Sequence, residues 1–173
     1  MKPTRFPVLT CIIFSAVLLP SAFANHRTGD LPLPELLVAG DFNGDGKLDL
    51  AVHVTGFDMV GIFLGDGQGG FTLKGHIALD TLPKGLATAD INRDGKLDLV
   101  NCNEWGYDVK VLLGDGLSGF NSTKDYIGDG EPTRLVLEDF NKDGALDIAV
   151  NAPEEGKITD LFWRWKGRVC YSG

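Results

Sequence analysis

Three nine-residue stretches concentrate the side chains that could do chemistry. They read Asp41-Phe42-Asn43-Gly44-Asp45-Gly46-Lys47-Leu48-Asp49, Asp90-Ile91-Asn92-Arg93-Asp94-Gly95-Lys96-Leu97-Asp98 and Asp139-Phe140-Asn141-Lys142-Asp143-Gly144-Ala145-Leu146-Asp147. Each has Asp at positions 1, 5 and 9, Asn at 3, Gly at 6 and Leu at 8. Successive copies begin 49 residues apart.

Oxygen side chains at positions 1, 3 and 5 of a tight loop can aim at one point. Glycine at 6 permits the turn, and position 7 offers a backbone carbonyl whatever its side chain. That explains why Lys47, Lys96 and Ala145 can alternate there. An Asp at 9 adds a further ligand from the start of the next element. This donor set suits calcium, a hard cation that takes roughly six to eight oxygens at about 2.3–2.6 Å. No Cys or His lies in the loops, which argues against zinc and softer metals. We therefore expect up to three calcium ions, one per loop. The plainer reading is a hairpin turn made by Asn-Gly or Asp-Gly. A turn needs one or two such residues, not acids at 1, 5 and 9 three times over. An EF-hand is excluded, because position 12 is Val52, Asn101 or Val150 rather than Glu.

The elements around the loops repeat in register. Apolar runs follow each loop: Leu50-Ala51-Val52, Leu99-Val100 and Ile148-Ala149-Val150. Val60-Gly61-Ile62-Phe63-Leu64-Gly65-Asp66-Gly67 is answered by Val109-Lys110-Val111-Leu112-Leu113-Gly114-Asp115-Gly116, and Gly-Phe follows both. Each repeat so holds four strand-like runs joined by Gly/Asp turns, and no helical periodicity persists. Four antiparallel strands in just under 50 residues is the size of a β-propeller blade. The fold class expected is all-β: a partial β-propeller of about three four-stranded antiparallel blades, the third incomplete.

These motifs resemble the FG-GAP/VCBS repeat, which also occurs in the propeller of integrin α subunits. The resemblance covers roughly residues 35–152. It implies blades with a calcium ion in the hairpin between the first two strands. It carries the ligand role to positions 1, 3, 5, 7 and 9 of the three loops and no further. The chain departs from the family in having at most three blades. It departs again after Val150, where Phe162-Trp163-Arg164-Trp165 stands in place of Leu-Gly-Asp-Gly.

Residues 1–24 are expected to be a secretory signal peptide. Lys2 and Arg5 precede an apolar run from Val8 to Leu19, and Ala22-Phe23-Ala24 is a small-x-small cleavage site. The run is short for a bilayer span, so no membrane span is expected after cleavage. Residues 25–34 read as a lead-in and 35–156 as the repeat domain, with repeats at about 35–83, 84–132 and 133–156. Residues 157–173 read as a divergent or truncated tail. The formal charge is −8. It becomes more negative once Lys2 and Arg5 leave, which argues against nucleic acid. A secreted location, extracellular or periplasmic, follows. We expect no disulfide between Cys102 and Cys170.

No catalytic constellation is present. His26, His53 and His76 are scattered, and no nucleophile elbow, zinc-protease helix or phosphate-binding loop occurs. Asp66 and Asp115 are read as turn residues. The expected function is non-catalytic adhesion or recognition of a protein or carbohydrate. The alternative is a fragment or accessory domain of a larger secreted protein, lectin-like or attached to a polysaccharide-acting enzyme. Phe57, Trp105 and Tyr107 are the aromatic candidates for a binding face, with packing between blades as the plainer role. Open blade edges invite self-association.

Overall fold

A computed structural model describes residues 34–54, 58–79, 83–127 and 131–152, and three short strands at 157–159, 162–164 and 168–170. Residues 1–24, expected to be a signal peptide, and Phe57 lie outside the described residues. Every described element is a strand, so the all-β expectation holds. Among the described residues no helix is long and apolar enough to cross a membrane.

The first repeat forms β1 (Pro34–Gly40), β2 (Asp49–Val54), β3 (Met59–Gly65) and β4 (Phe71–Ala78), antiparallel and in the order β1-β2-β3-β4. The second forms β5 (Pro83–Ala89), β6 (Asp98–Asn103), β7 (Asp108–Gly114) and β8 (Phe120–Ile127) in the same order. The third sheet has three strands: β9 (Arg134–Glu138), β10 (Asp147–Ala152) and β11 (Lys157–Thr159). A separate hairpin, β12 (Phe162–Arg164) with β13 (Arg168–Cys170), follows. The third blade is incomplete, as expected, although β11 falls in the stretch read as tail and pairs with β10.

The first strands neighbour one another, β1 beside β5 and β5 beside β9, so the sheets fan out from a common side as propeller blades do. Lys84 of β5 ties them there, reaching Glu35 of β1 at 3.7 Å. The sheets pack face to face through two apolar clusters. One joins Phe42, Ala51, Val60 and Ile62 of the first blade to Leu99 and Leu112 of the second. The other joins Ile91, Val100 and Val111 of the second blade to Ile148 and Val150 of the third. A smaller cluster of Leu50, Val52 and Phe63 lies on the opposite face of the first blade.

Burial patterns follow from this stack. Every residue of β6 is buried, because the middle blade is covered on both faces. β9 instead alternates between exposed and partly buried positions, the pattern of a strand covered on one face.

Candidate metal centre

Each repeated loop is folded by its own carboxylates. At position 1, Asp41 accepts hydrogen bonds from the amides of Asp45 (3.1 Å) and Gly46 (2.8 Å). Asp90 takes those of Asp94 and Gly95, and Asp139 those of Asp143 and Gly144. At position 3, the Oδ1 atoms of Asn43, Asn92 and Asn141 accept from the same position-5 amide at 2.8–2.9 Å. At position 5, Asp45, Asp94 and Asp143 accept from the amides of Lys47, Lys96 and Ala145. Oxygens of positions 1 and 3 therefore lie within hydrogen-bond reach of one nitrogen, in all three loops.

The backbone needs two left-handed residues per loop. Position 6 is glycine at φ 82–85° each time. Position 4 is Gly44 in the first loop, but Arg93 (φ 63°) and Lys142 (φ 59°) in the others. A side chain there carries a cost that glycine avoids.

Position 9 is different. Asp49, Asp98 and Asp147 are fully buried. The Oδ2 of Asp49 accepts from the Phe42 amide (3.1 Å), and its Oδ1 from the Gly65 amide (2.9 Å), so one side chain ties the loop to β3. Asp98 repeats this with Ile91 (3.0 Å) and Gly114 (2.8 Å). Asp147 holds the Phe140 amide at 3.1 Å, but its Oδ1 has no partner among the described residues. The donor glycines stand 16 residues after their Asp. Sixteen residues after Asp147 the chain has Trp163, which lies in β12. Gly65 and Gly114 pass so close to the carbonyls of Leu48 and Leu97 that a Cβ would collide, which accounts for the glycine of Leu-Gly-Asp-Gly.

This bracing role of position 9 was missed in the sequence. A signal was available: position 9 opens each of the apolar strands β2, β6 and β10, where a side chain lies at the start of a buried run. The side-chain oxygens of positions 1 and 3 share the position-5 amide, while the position-5 carboxylate turns to the amide of position 7. Among the described residues, however, no three His, Cys, Asp or Glu side chains close on one point.

The donor chemistry still fits a hard cation. Positions 1, 3 and 5 present only oxygen, and a carboxylate has roughly four lone-pair sites, so an oxygen engaged by an amide retains capacity. The carboxyl of Asp45 lies below the ordinary Asp value, chiefly through the Lys47 amide, with Asn43 and the Lys47 ammonium adding to it. Asp98 is raised, because burial outweighs its hydrogen bonds from Gly114 and Ile91.

The Gly-Asp-Gly turns at the same end are self-contained. Asp66 accepts from the amides of Gln68 and Gly70, and Asp115 from those of Leu117 and Gly119. These amides hold both carboxyls below their ordinary value. Of the aromatic candidates, Trp105 (66 % exposed) and Tyr107 project from the β6–β7 turn. Tyr107 is left-handed (φ 52°), and its hydroxyl donates to Glu131 at 3.3 Å. His53 is buried in β2. Cys102 is a free thiol that burial pushes up to about 12.

No curated protein matches the chain significantly. The profile of the FG-GAP-like repeat matches it twice, over residues 41–101 and 90–150, each match running from one loop through the apolar strand after the next. With the loops, sheets and matches in agreement over more than half its length, the chain belongs to the FG-GAP-like repeat family.

Proposed function

We propose that this chain is an exported calcium-binding module that recognises a protein or a carbohydrate and performs no catalysis itself. The observation that carries the reading is the threefold recurrence of one oxygen arrangement, at Asp41/Asn43/Asp45, Asp90/Asn92/Asp94 and Asp139/Asn141/Asp143. The carbonyls of Lys47, Lys96 and Ala145 and the carboxylates of Asp49, Asp98 and Asp147 complete the donor set. A bound ion would neutralise the acids of each loop and cross-link its two sides. The chain's own part is to hold the loops nearly closed beforehand, so less ordering entropy is lost on binding. Calcium then stabilises the fold by mass action, by about 2.7 kcal/mol per site at one hundred times its dissociation constant. Export rests on residues 1–24 and places the protein outside the cytoplasm, where calcium is abundant.

The test is thermal unfolding in calcium and in chelator. The melting temperature should be higher in calcium, and Asp45→Ala, Asp94→Ala or Asp143→Ala should each remove part of that difference. Coincident curves for the unmutated chain would refute the reading.

A second reading, a lectin-like accessory domain of a larger protein, is favoured by the exposure of Trp105 beside Tyr107. Stacking of a sugar ring on Trp105 would be lost in Trp105→Ala, with melting unchanged. Glycan-array binding that Trp105→Ala leaves intact would place the sugar away from Trp105, and absence of binding by the parent chain would remove this reading.

A further inference from the structure

The chain builds the same face-to-face interface twice, and among the described residues its counterparts on the first and third blades are exposed. In each blade the face toward the next repeat is anchored by loop position 2. Phe42 (2 % exposed) and Ile91 (3 %) are buried there against the blade that follows. Phe140, at the same position of the third loop, is 48 % exposed, and Val136 on β9 is exposed beside it. The face toward the preceding repeat is anchored by a leucine on the first strand. Leu86 and Leu135 pack into the two inter-blade clusters. Their counterpart Leu37 is exposed, as is Leu48, the counterpart of Leu97.

We propose that the face of the third sheet carrying Val136 and Phe140 docks the first-sheet face carrying Leu37 and Leu48 on a second copy of this chain, head to tail. The internal interfaces supply the register. Phe42 meets Phe120 of the next blade edge-on, with centroids 5.6 Å apart, and the Ser118 amide donates to the Phe42 carbonyl at 3.0 Å. Carried across copies, Phe140 meets Phe71, and the Gly69 amide donates to the Phe140 carbonyl. The two surfaces differ, so the contact is heterologous, and further copies extend it into a ring or a filament. One position opposes it. Leu97 packs so tightly on Gly40 that a Cβ there would lie 2.5 Å from its Cδ1. The equivalent seats are Ala89 and then Glu138, and Glu138 lies where Leu48 of the next copy would arrive.

The inference moves the expected self-association from open blade edges to blade faces and is independent of calcium, since its test reads mass. Sedimentation velocity of the 173-residue chain should show association that rises with concentration. Leu37→Asp and Val136→Asp lie on opposite faces and outside the loops. Each should weaken association about tenfold or more, as expected for losing one buried aliphatic side chain. A mixture of the two variants should recover a heterodimer and go no further, because each retains the half the other lacks. Glu138→Ala should tighten association. Circular dichroism identical to the parent shows that the variants fold. A chain that stays monomeric to its solubility limit leaves these faces for its own terminal segments or a further repeat, and overturns the proposal. Association that neither substitution weakens, or that mixing fails to restore, places the contact elsewhere, such as paired strand edges, and overturns it equally.

Discussion

The second and third blades begin with the same nine-residue loop and diverge in what surrounds it. Asp98 has an amide on each oxygen and a sheet packed on either side of its blade. Asp147 has one amide and, among the described residues, one oxygen without a partner, and its blade is left with Phe140 half exposed. The loop motif is therefore sufficient to fold the loop. It is not sufficient to complete a blade, which also needs the Leu-Gly strand that returns an amide to position 9. A buried, unpaired carboxylate oxygen costs about 1–3 kcal/mol, so the third blade is the weak end of the stack.

Substitutions at matched positions should break or sharpen this contrast. The largest effect is expected for Ile91→Ala against Phe140→Ala. The first opens a cavity between two packed sheets and should cost about 2–5 kcal/mol. The second removes a half-exposed ring and should cost well under half of that, read from denaturant midpoints. Equal losses would mean that the third blade is as well covered as the second.

Asp98→Asn against Asp147→Asn comes next. In the second blade the new NH2 must face an amide that needs an acceptor, costing about 1–3 kcal/mol. In the third blade the amide oxygen can keep the Phe140 N–H and turn its NH2 toward the unpaired side, so the loss should be smaller. Chemical denaturation of both variants decides it.

The loop backbone offers a gain. Arg93→Gly and Lys142→Gly relieve left-handed side-chain residues and should each stabilise by up to about 1 kcal/mol. Gly44→Ala, at the same position of the first loop, should destabilise by a similar amount or more.

The smallest effect concerns pH. Asp66 and Asp115 have folded values below 3.8, mainly from backbone amides. A lowered folded pKa stabilises above the unfolded value and is lost as pH falls through the folded one. The parent should thus lose stability below about pH 4, and Asp66→Asn or Asp115→Asn should flatten that loss slightly. Both carboxylates are exposed, so the change is small.

Much of this was legible in the residues. The 49-residue period and the alternation of apolar runs with Gly/Asp turns specify four-stranded units. Asp41 and Asn43 and their counterparts meet at one backbone amide, as oxygens at positions 1 and 3 of a tight loop can. The buried brace at position 9 was less visible, because Asp49 reads equally as a loop ligand and as a strand residue. Its second partner, Gly65, is 16 residues away, and only the folded hairpin brings them together. Left-handed Arg93 and Lys142 were hidden because neither residue type signals that conformation, although Gly44 at the same position pointed to it. The incomplete third blade was visible as a change of composition after Val150. That β11 still adds to it was not, since strand pairing at a sheet edge depends on backbone amides rather than on side-chain type.

Calorimetric titration of calcium into the parent chain tests the central claim most directly, because it counts the oxygen-lined loops that hold an ion. The account predicts saturable binding at three sites, with Asp143→Ala removing the weakest, since Asp147 is braced on one side only. Absence of binding heat, or a stoichiometry unchanged in Asp45→Ala, Asp94→Ala and Asp143→Ala, would contradict it.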